Sequence, residues 1–404
     1  MQKNKSLNIG IISIPLGHAS VDWFIAGFWI LLPFIAEEFS LNEVQVASII
    51  TIRTLFSAIV YLPSGVLAGI ISRRTLYASI AVYWVIVGYF LASYSPTYIV
   101  LIISVTCAEI GSILWHPFGL SSITKILTQR KGLATALFNA GGSIAEVGSP
   151  ALMSYLIREN NSFSLPGLST PTWRSVMRFN GIIVTLFGLI VLWTSFVLFK
   201  NTTIKTSKSP RLKESFQLLK LPIIQKALVI AIIRFLAYLS ILTYLSIYLS
   251  ENIGKESASL QVTLFLLAGV IGSTFLGSRS DKGNRSQILI SSLAFGSIAT
   301  VLIPITNSLP IISVTVGLSG FFIGACTTVL VAMALDNVPD DIKAPFIGLF
   351  FAILEGFSSV ALLATASIVS TWGTSSAFYF SGVLMALSIV VLIPRRGSKK
   401  STSA

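Results

Sequence analysis

The chain is poor in charge. Of its 404 residues only 11% are Asp, Glu, Lys or Arg, while 54% are hydrophobic; a soluble domain carries about a quarter charged residues. With a mean hydropathy of +0.84, a soluble globular fold is excluded. Cysteine is scarce too: Cys107 and Cys326 both lie inside apolar runs, so neither a disulfide framework nor a thiolate metal site is available. There are only two histidines, His18 and His116, too far apart in sequence for a His-Glu-x-x-His motif, and no Ser/His/Asp set is legible. An intramembrane enzyme is therefore not expected. Nor is any loop long enough for an added sensor domain. No cofactor and no metal site are expected. Acidic residues number 15 against 28 basic ones, a net charge of +13. That balance invites a nucleic-acid reading, but the basic residues fall between apolar runs, as the positive-inside rule requires. No nucleic-acid partner is expected.

What the chain has in abundance is long apolar runs. They are helix-length rather than the ten-residue alternating strands of a barrel. Hydropathy predicts twelve spans: residues 9–36, 44–71, 76–93, 98–123, 133–157 and 176–199, then 223–249, 257–276, 288–305, 311–335, 346–369 and 376–393. Residues 1–8 are short and basic, and the first run is too long for a signal-peptide core, so it reads as a retained helix. The expected fold is an all-α integral membrane protein with twelve transmembrane helices in two six-helix pseudo-symmetric halves. The halves are residues 1–199 and 222–404, joined by a polar, basic linker, 200–221, which Pro210 breaks.

Charge sets the orientation. Lys3, Lys5, Arg73, Arg74, Lys125, Arg130, Lys131, the linker bases, Arg279, Lys282, Arg285, Lys343, Arg395, Arg396, Lys399 and Lys400 share one side. The opposite loops hold Arg158, Arg174, Arg178 and Lys255 beside Glu37, Glu38, Glu43, Glu159, Glu251 and Glu256. Both termini are expected in the cytoplasm of a multi-pass protein of the cell membrane.

The halves repeat with an offset of 212, which relates Gly65 to Gly277 and Lys131 to Lys343. Parallel repeats of this kind are an alternating-access layout. Gly65-Val-Leu-Ala leading to Arg73 and Arg74, and Gly277 leading to Asp281, Lys282 and Arg285, resemble the signature loop of the major facilitator superfamily. The first copy has Gly69 where that family usually has Asp, and the second has Arg279 in place of Leu. Gly17-His18-x-x-x-Asp22, His116-Pro117 and the stretch from Arg130 through Gly141-Gly142 to Pro150 resemble the fosmidomycin-resistance-like branch. That resemblance implies proton-driven export of small drug-like molecules. The signature loops are expected to gate the cytoplasmic face.

Several spans carry charge that lipid alone would not tolerate. Glu109 and His116, seven residues apart in the fourth span, project from one side of a helix. Asp22 has His18 one turn away. The repeat offset pairs Asp22 with Arg234 at equivalent depths of spans one and seven, which suggests an ion pair across a central cavity or two arms of one substrate site; failing contact between them, Glu109 and Arg53 are the alternative centre. Glu146 and Glu355 lie mid-span in spans five and eleven. Asp22, Glu109 and Glu355 are candidates for proton coupling. His18, Asp22, Arg53, Glu109, Trp115, His116, Arg234 and Tyr238 are candidates for substrate binding. Guanidinium matches carboxylate or phosphate geometry, which favours a small organic anion or zwitterion with an apolar part. The expected partners are that small molecule, protons and the lipid bilayer, and the chain is expected to act as a monomer. Proton-coupled uptake of a nutrient anion has the same residue requirements and is the alternative to export.

Overall fold

A computed structural model describes residues 2–71, 74–126, 131–158, 171–199, 212–336, 338–339 and 342–392. Of these, 2–11, 65–66, 68–70, 74–75, 121, 124–126, 131–135, 195–199, 212 and 344 are described by backbone alone. Arg73 lies outside the described residues, and the side chain of Arg74 and the surroundings of Gly65 are likewise undescribed.

Among the described residues the chain forms thirteen α-helices: α1 Gln2–Glu38, α2 Glu43–Ile70, α3 Arg74–Ser93, α4 Tyr98–Ile126, α5 Lys131–Leu156, α6 Trp173–Phe199, α7 Leu212–Leu218, α8 Pro222–Ile253, α9 Lys255–Lys282, α10 Arg285–Leu302, α11 Leu309–Leu335, α12 Lys343–Trp372 and α13 Ser376–Leu392. Ten are long and apolar enough to cross a membrane. The 17-residue α13 and α5, which carries Glu146 and a run of small residues, complete the expected twelve. The short α7 falls inside the stretch read as linker.

Helix ends follow local chemistry. Asn42 and Gln45 exchange side-chain bonds with each other's backbone N–H, a capping box that starts α2. Asn284 caps α10 through the N–H groups of Ser286 and Gln287. Gly254 turns α8 directly into α9 at φ 82°, a left-handed conformation that glycine adopts without Cβ strain. Inside the spans, hydroxyls bond carbonyls three or four residues back, as at Ser20, Ser57 and Thr243. That is how serine and threonine are satisfied where water is absent.

Helices α1 to α6 pack among themselves, as do α8 to α13, and the two sets meet along α2–α12, α5–α9 and α1–α8. One end is tied across the halves. The Lys255 ammonium binds Glu37, and the Tyr244 hydroxyl donates to the Glu43 carbonyl at 3.1 Å. Ser154 and Thr263 join α5 to α9 at 3.2 Å. At the same end Trp173 and Arg174 clasp Glu38. The α2–α12 contact runs from Thr51, which donates to the Ser359 carbonyl, to Tyr61, stacked on Phe351 5.7 Å away.

At the opposite end Arg285 reaches Asp281 at 3.1 Å and Asp336 at 2.9 Å, and also donates to Ser280. Its guanidinium therefore ties the ends of α9 and α11, both in the second half, rather than bridging the halves. Arg285→Ala should lower the melting temperature by little, since such exposed pairs contribute about 0–1 kcal/mol. On the gating role that the signature-loop resemblance implies, it should slow transport in reconstituted vesicles severalfold by loosening that corner. An unchanged rate would mean that the clamp has no gating role.

Candidate functional site

The sequence-predicted polar residues gather in three places. The first lies where α1, α4 and α5 meet. His18 and Asp22 are a turn apart on α1, and His18 Nε2 stands 3.0 Å from Asp22 Oδ2. Across the gap, His116 Nε2 on α4 is 3.2 Å from His18 Nε2 and 3.7 Å from Asp22 Oδ1. Ser112, one turn before His116, donates to Asp22 Oδ1 at 3.2 Å. Each ring is fixed from behind: His18 Nδ1 donates to the Phe138 carbonyl at 2.6 Å, and His116 Nδ1 to the Ser112 carbonyl at 2.7 Å. A carbonyl only accepts, so both Nδ1 atoms carry the proton and both Nε2 atoms face the carboxylate. Trp115 stacks on His18 with centroids 5.2 Å apart, and Phe138 tilts against the same imidazole at 4.1 Å. The glycine pair of α5 permits this approach. A Cβ on Gly141 would stand 2.2 Å from the Pro15 carbonyl oxygen, and one on Gly142 would stand 3.2 Å from His18 Nε2.

The second place is Arg53 on α2, buried with 3% exposure, whose Nε lies 3.6 Å from Glu109 Oε2 on α4. Phe28 and Trp29 of α1 lie 5.4 and 5.5 Å from the guanidinium, within cation–π range. Arg53 Nε and Nη1 and Glu109 Oε2 are buried without a hydrogen bond, so the contact between the two side chains is one of charge. Glu355 enters from α12, in the other half, within electrostatic reach of both and beside the Tyr61 hydroxyl.

The third is a cavity of about 320 Å³ among α5, α8, α9 and α11. Glu146 and Arg234 stand on its wall with Phe235, Tyr238, Phe265 and Thr328. Arg234 donates through Nε and Nη2 to the Ile323 carbonyl, at 3.1 and 2.6 Å, and lies over the Tyr238 ring at 4.9 Å. Anchored by α11, it shares the cavity wall with Glu146 of the other half and lies within its electrostatic reach.

The expected pairing of Asp22 with Arg234 is therefore not what the structure shows. Asp22 is held by two histidines and Ser112, and Arg234 by a backbone carbonyl. Pseudo-symmetry places equivalent residues at equal depth; it does not make them neighbours. His116 likewise turns to Asp22 rather than to Glu109, which takes Arg53. The eight substrate candidates are split: Arg234 and Tyr238 line the cavity, Arg53 and Glu109 form the buried pair, and His18, Asp22, Trp115 and His116 form the imidazole cluster. The sequence singled out Glu146 without a role, though one carboxylate among glycines mid-span was the signal for a cavity wall. Phe138, Ser112 and Tyr61 had no comparable signal, because each contributes through a neighbour on another helix.

The sequence matches the family model described as Major Facilitator Superfamily over residues 16–254 and 227–404. Among solved structures, the chain resembles an inward-facing, unoccupied bacterial homolog of the human lysosomal transporter Spinster. The TM-score is 0.71 at 16% identity, covering 97% of this chain and 95% of that one. An inward-facing, occupied structure bearing the same description matches with a TM-score of 0.65 at 15% identity, over 96% and 94% of the two chains. At such identities the likeness concerns the fold.

Proposed function

The chain belongs to the Major Facilitator Superfamily, and from that premise we propose that it exports a small amphipathic anion or zwitterion in exchange for protons, by alternating access between residues 1–199 and 222–404. The cavity carries the reading. Its wall offers one guanidinium and one carboxylate, drawn from opposite halves, amid aromatic rings. A substrate with an anionic group and an apolar body meets Arg234 and the rings of Phe235, Tyr238 and Phe265; an amine on the same substrate meets Glu146. Few polar groups on an apolar wall is the usual chemistry of a small-molecule site. The ends tied by Glu37–Lys255 and Tyr244–Glu43 lie on the side the charge distribution assigns to the outside. That agrees with a cavity reached from the cytoplasm, the state named for the similar bacterial structures. Export follows the resemblance of Gly17-His18, His116-Pro117 and the Arg130–Pro150 stretch to the fosmidomycin-resistance-like branch.

Coupling is placed on Arg53, Glu109 and Glu355. One guanidinium and two carboxylates sum to −1, and a single proton makes the set neutral, which the low-dielectric interior favours. Glu355 comes from the half opposite its two partners, so taking up that proton changes the attraction between halves. Asp22, engaged by two imidazoles, is left out of this step.

In proteoliposomes with an imposed pH gradient and a panel of amphipathic anions and zwitterions, the parent should accumulate at least one compound. Glu355→Gln should abolish gradient-driven accumulation and leave exchange in part. Arg234→Gln should raise the half-saturating concentration tenfold or more. Accumulation by Glu355→Gln at the parent level would sink the coupling assignment, and unchanged saturation in Arg234→Gln would remove the cavity from the substrate path.

A further inference from the structure

The imidazole cluster has a feature that transport of an organic substrate does not use. Two Nε2 atoms and a carboxylate oxygen converge from two helices within 4.8 Å of one another, with no amide, ammonium or guanidinium among them. The Ser112 hydroxyl supplies one hydrogen bond to Asp22 Oδ1 and nothing to either ring. Three electron-pair donors aimed at one point repel one another unless a cation stands between them.

We propose that His18, Asp22 and His116 bind one divalent transition-metal ion of the borderline class: zinc, cobalt, nickel or iron(II). Four observations carry this. The ligand set, two imidazoles and a carboxylate, is a set those ions prefer, whereas magnesium and calcium take oxygen. The spacing is close to theirs: metal–ligand bonds of about 2.0–2.1 Å put neighbouring donor atoms roughly 3.0–3.4 Å apart; His18 Nε2 stands 3.0 Å from Asp22 Oδ2 and 3.2 Å from His116 Nε2, and only His116, 3.7 Å from Asp22 Oδ1, has to close in slightly. Both rings already donate Nδ1–H to a backbone carbonyl, the support that metal-bound histidine almost always has, and it leaves Nε2 free to coordinate. Last, the cluster is buried yet reachable: the His18 side chain is 7% exposed, those of Asp22 and His116 20% and 31%. A metal held by three protein ligands on one side keeps positions open toward His116, where water or an anionic group of the substrate completes the shell. Asp22 reduces the charge of the ion from +2 to +1, so an anion is the partner that finishes the site.

The test uses the full chain, purified in detergent with its affinity tag removed and stripped with a chelator, titrated with Zn²⁺ alone by calorimetry and by competition with a chelating dye. One Zn²⁺ should bind per chain and raise the melting temperature, and Mg²⁺ should not compete. His116→Gln, at the most exposed ligand, should weaken Zn²⁺ at least a hundredfold while the melting temperature without metal stays near the parent's. Gly142→Ala should weaken it less, because the added methyl presses on His18 Nε2 without removing a ligand. The proposal fails if the parent binds no stoichiometric Zn²⁺. It fails also if His116→Gln and Asp22→Asn bind as tightly as the parent, or if the cluster responds to pH alone, which would make the cation a proton. None of these readings depends on the transported compound or on Glu355, so the site and the transport cycle stand or fall separately.

Discussion

Arg53→Met should be the most damaging single change in the first half. It strips the guanidinium from a buried place that holds two carboxylates, Glu109 on α4 and Glu355 on α12. Breaking a buried pair by removing one partner costs roughly 3–5 kcal/mol, because the remaining charge stays behind uncompensated. Two acids remain here, so the loss should lie at the upper end. Glu109→Gln should cost less, since Arg53 keeps Glu355 within reach. The double variant Arg53→Met, Glu109→Gln should be more stable than Arg53→Met alone, having one carboxylate fewer to accommodate. Melting temperatures in one detergent for the two singles and the double decide the matter. If the losses simply add, Arg53 and Glu109 are not energetically coupled, and the 3.6 Å approach is incidental.

The second large effect is steric. Where α9 crosses α11, a Cβ on Gly272 would stand 1.9 Å from the Phe321 carbonyl oxygen, and one on Gly320 2.2 Å from the Phe265 carbonyl oxygen. The obstacles are backbone atoms of a packed helix, which no rotamer change can move. Small residues at such crossings let helices touch, the packing that holds a bundle together in lipid. Gly272→Val should exceed the about 1–3 kcal/mol typical of an overpacked core and leave little monodisperse protein in size-exclusion chromatography. Gly356→Ala is the control, because its Cβ would meet Ala58 Cβ at 3.5 Å, ordinary contact. Equal yields from the two variants would show that α9 and α11 are further apart than described.

How much of this was legible in the sequence follows from what hydropathy and helical spacing encode. The runs became helices because a span needs some twenty apolar residues whatever it packs against; 98–123 became α4 Tyr98–Ile126 and 223–249 became α8 Pro222–Ile253. The misses at the site are all lateral. A spacing of four tied His18 to Asp22 correctly, being a property of one helix. A spacing of seven put Glu109 and His116 on one side of α4 and left open which neighbouring helix each would face. In the fold the two contact different groups, Arg53 on α2 and Asp22 on α1. The 212 offset went wrong for the same reason, since it relates Asp22 to Arg234 by a symmetry operation rather than by contact. Helix α7 was hidden because seven residues are too few for a hydropathy window.

The contact between α2 and α12 runs from Thr51 to Tyr61, ten residue steps or about 15 Å of helix at 1.5 Å per residue. It holds at each end by a different device, a hydroxyl on a backbone carbonyl and a pair of stacked rings. The opposing edge, α5 against α9, is joined by the Ser154–Thr263 bond and borders the cavity at Glu146 and Gly269. The two edges are thus unlike, one a spine and the other a fore-edge. On the proposed alternating access, halves bound in this way would turn like the covers of a book: rotation about the spine preserves its contacts, and almost all the displacement appears at the fore-edge. On the proposed function, the substrate then moves past α5 and α9 rather than down a symmetric central bore. On that reading the width of the fore-edge, where Glu146 of α5 faces Phe265, Gly269 and Ser273 of α9, limits the girth of the passenger.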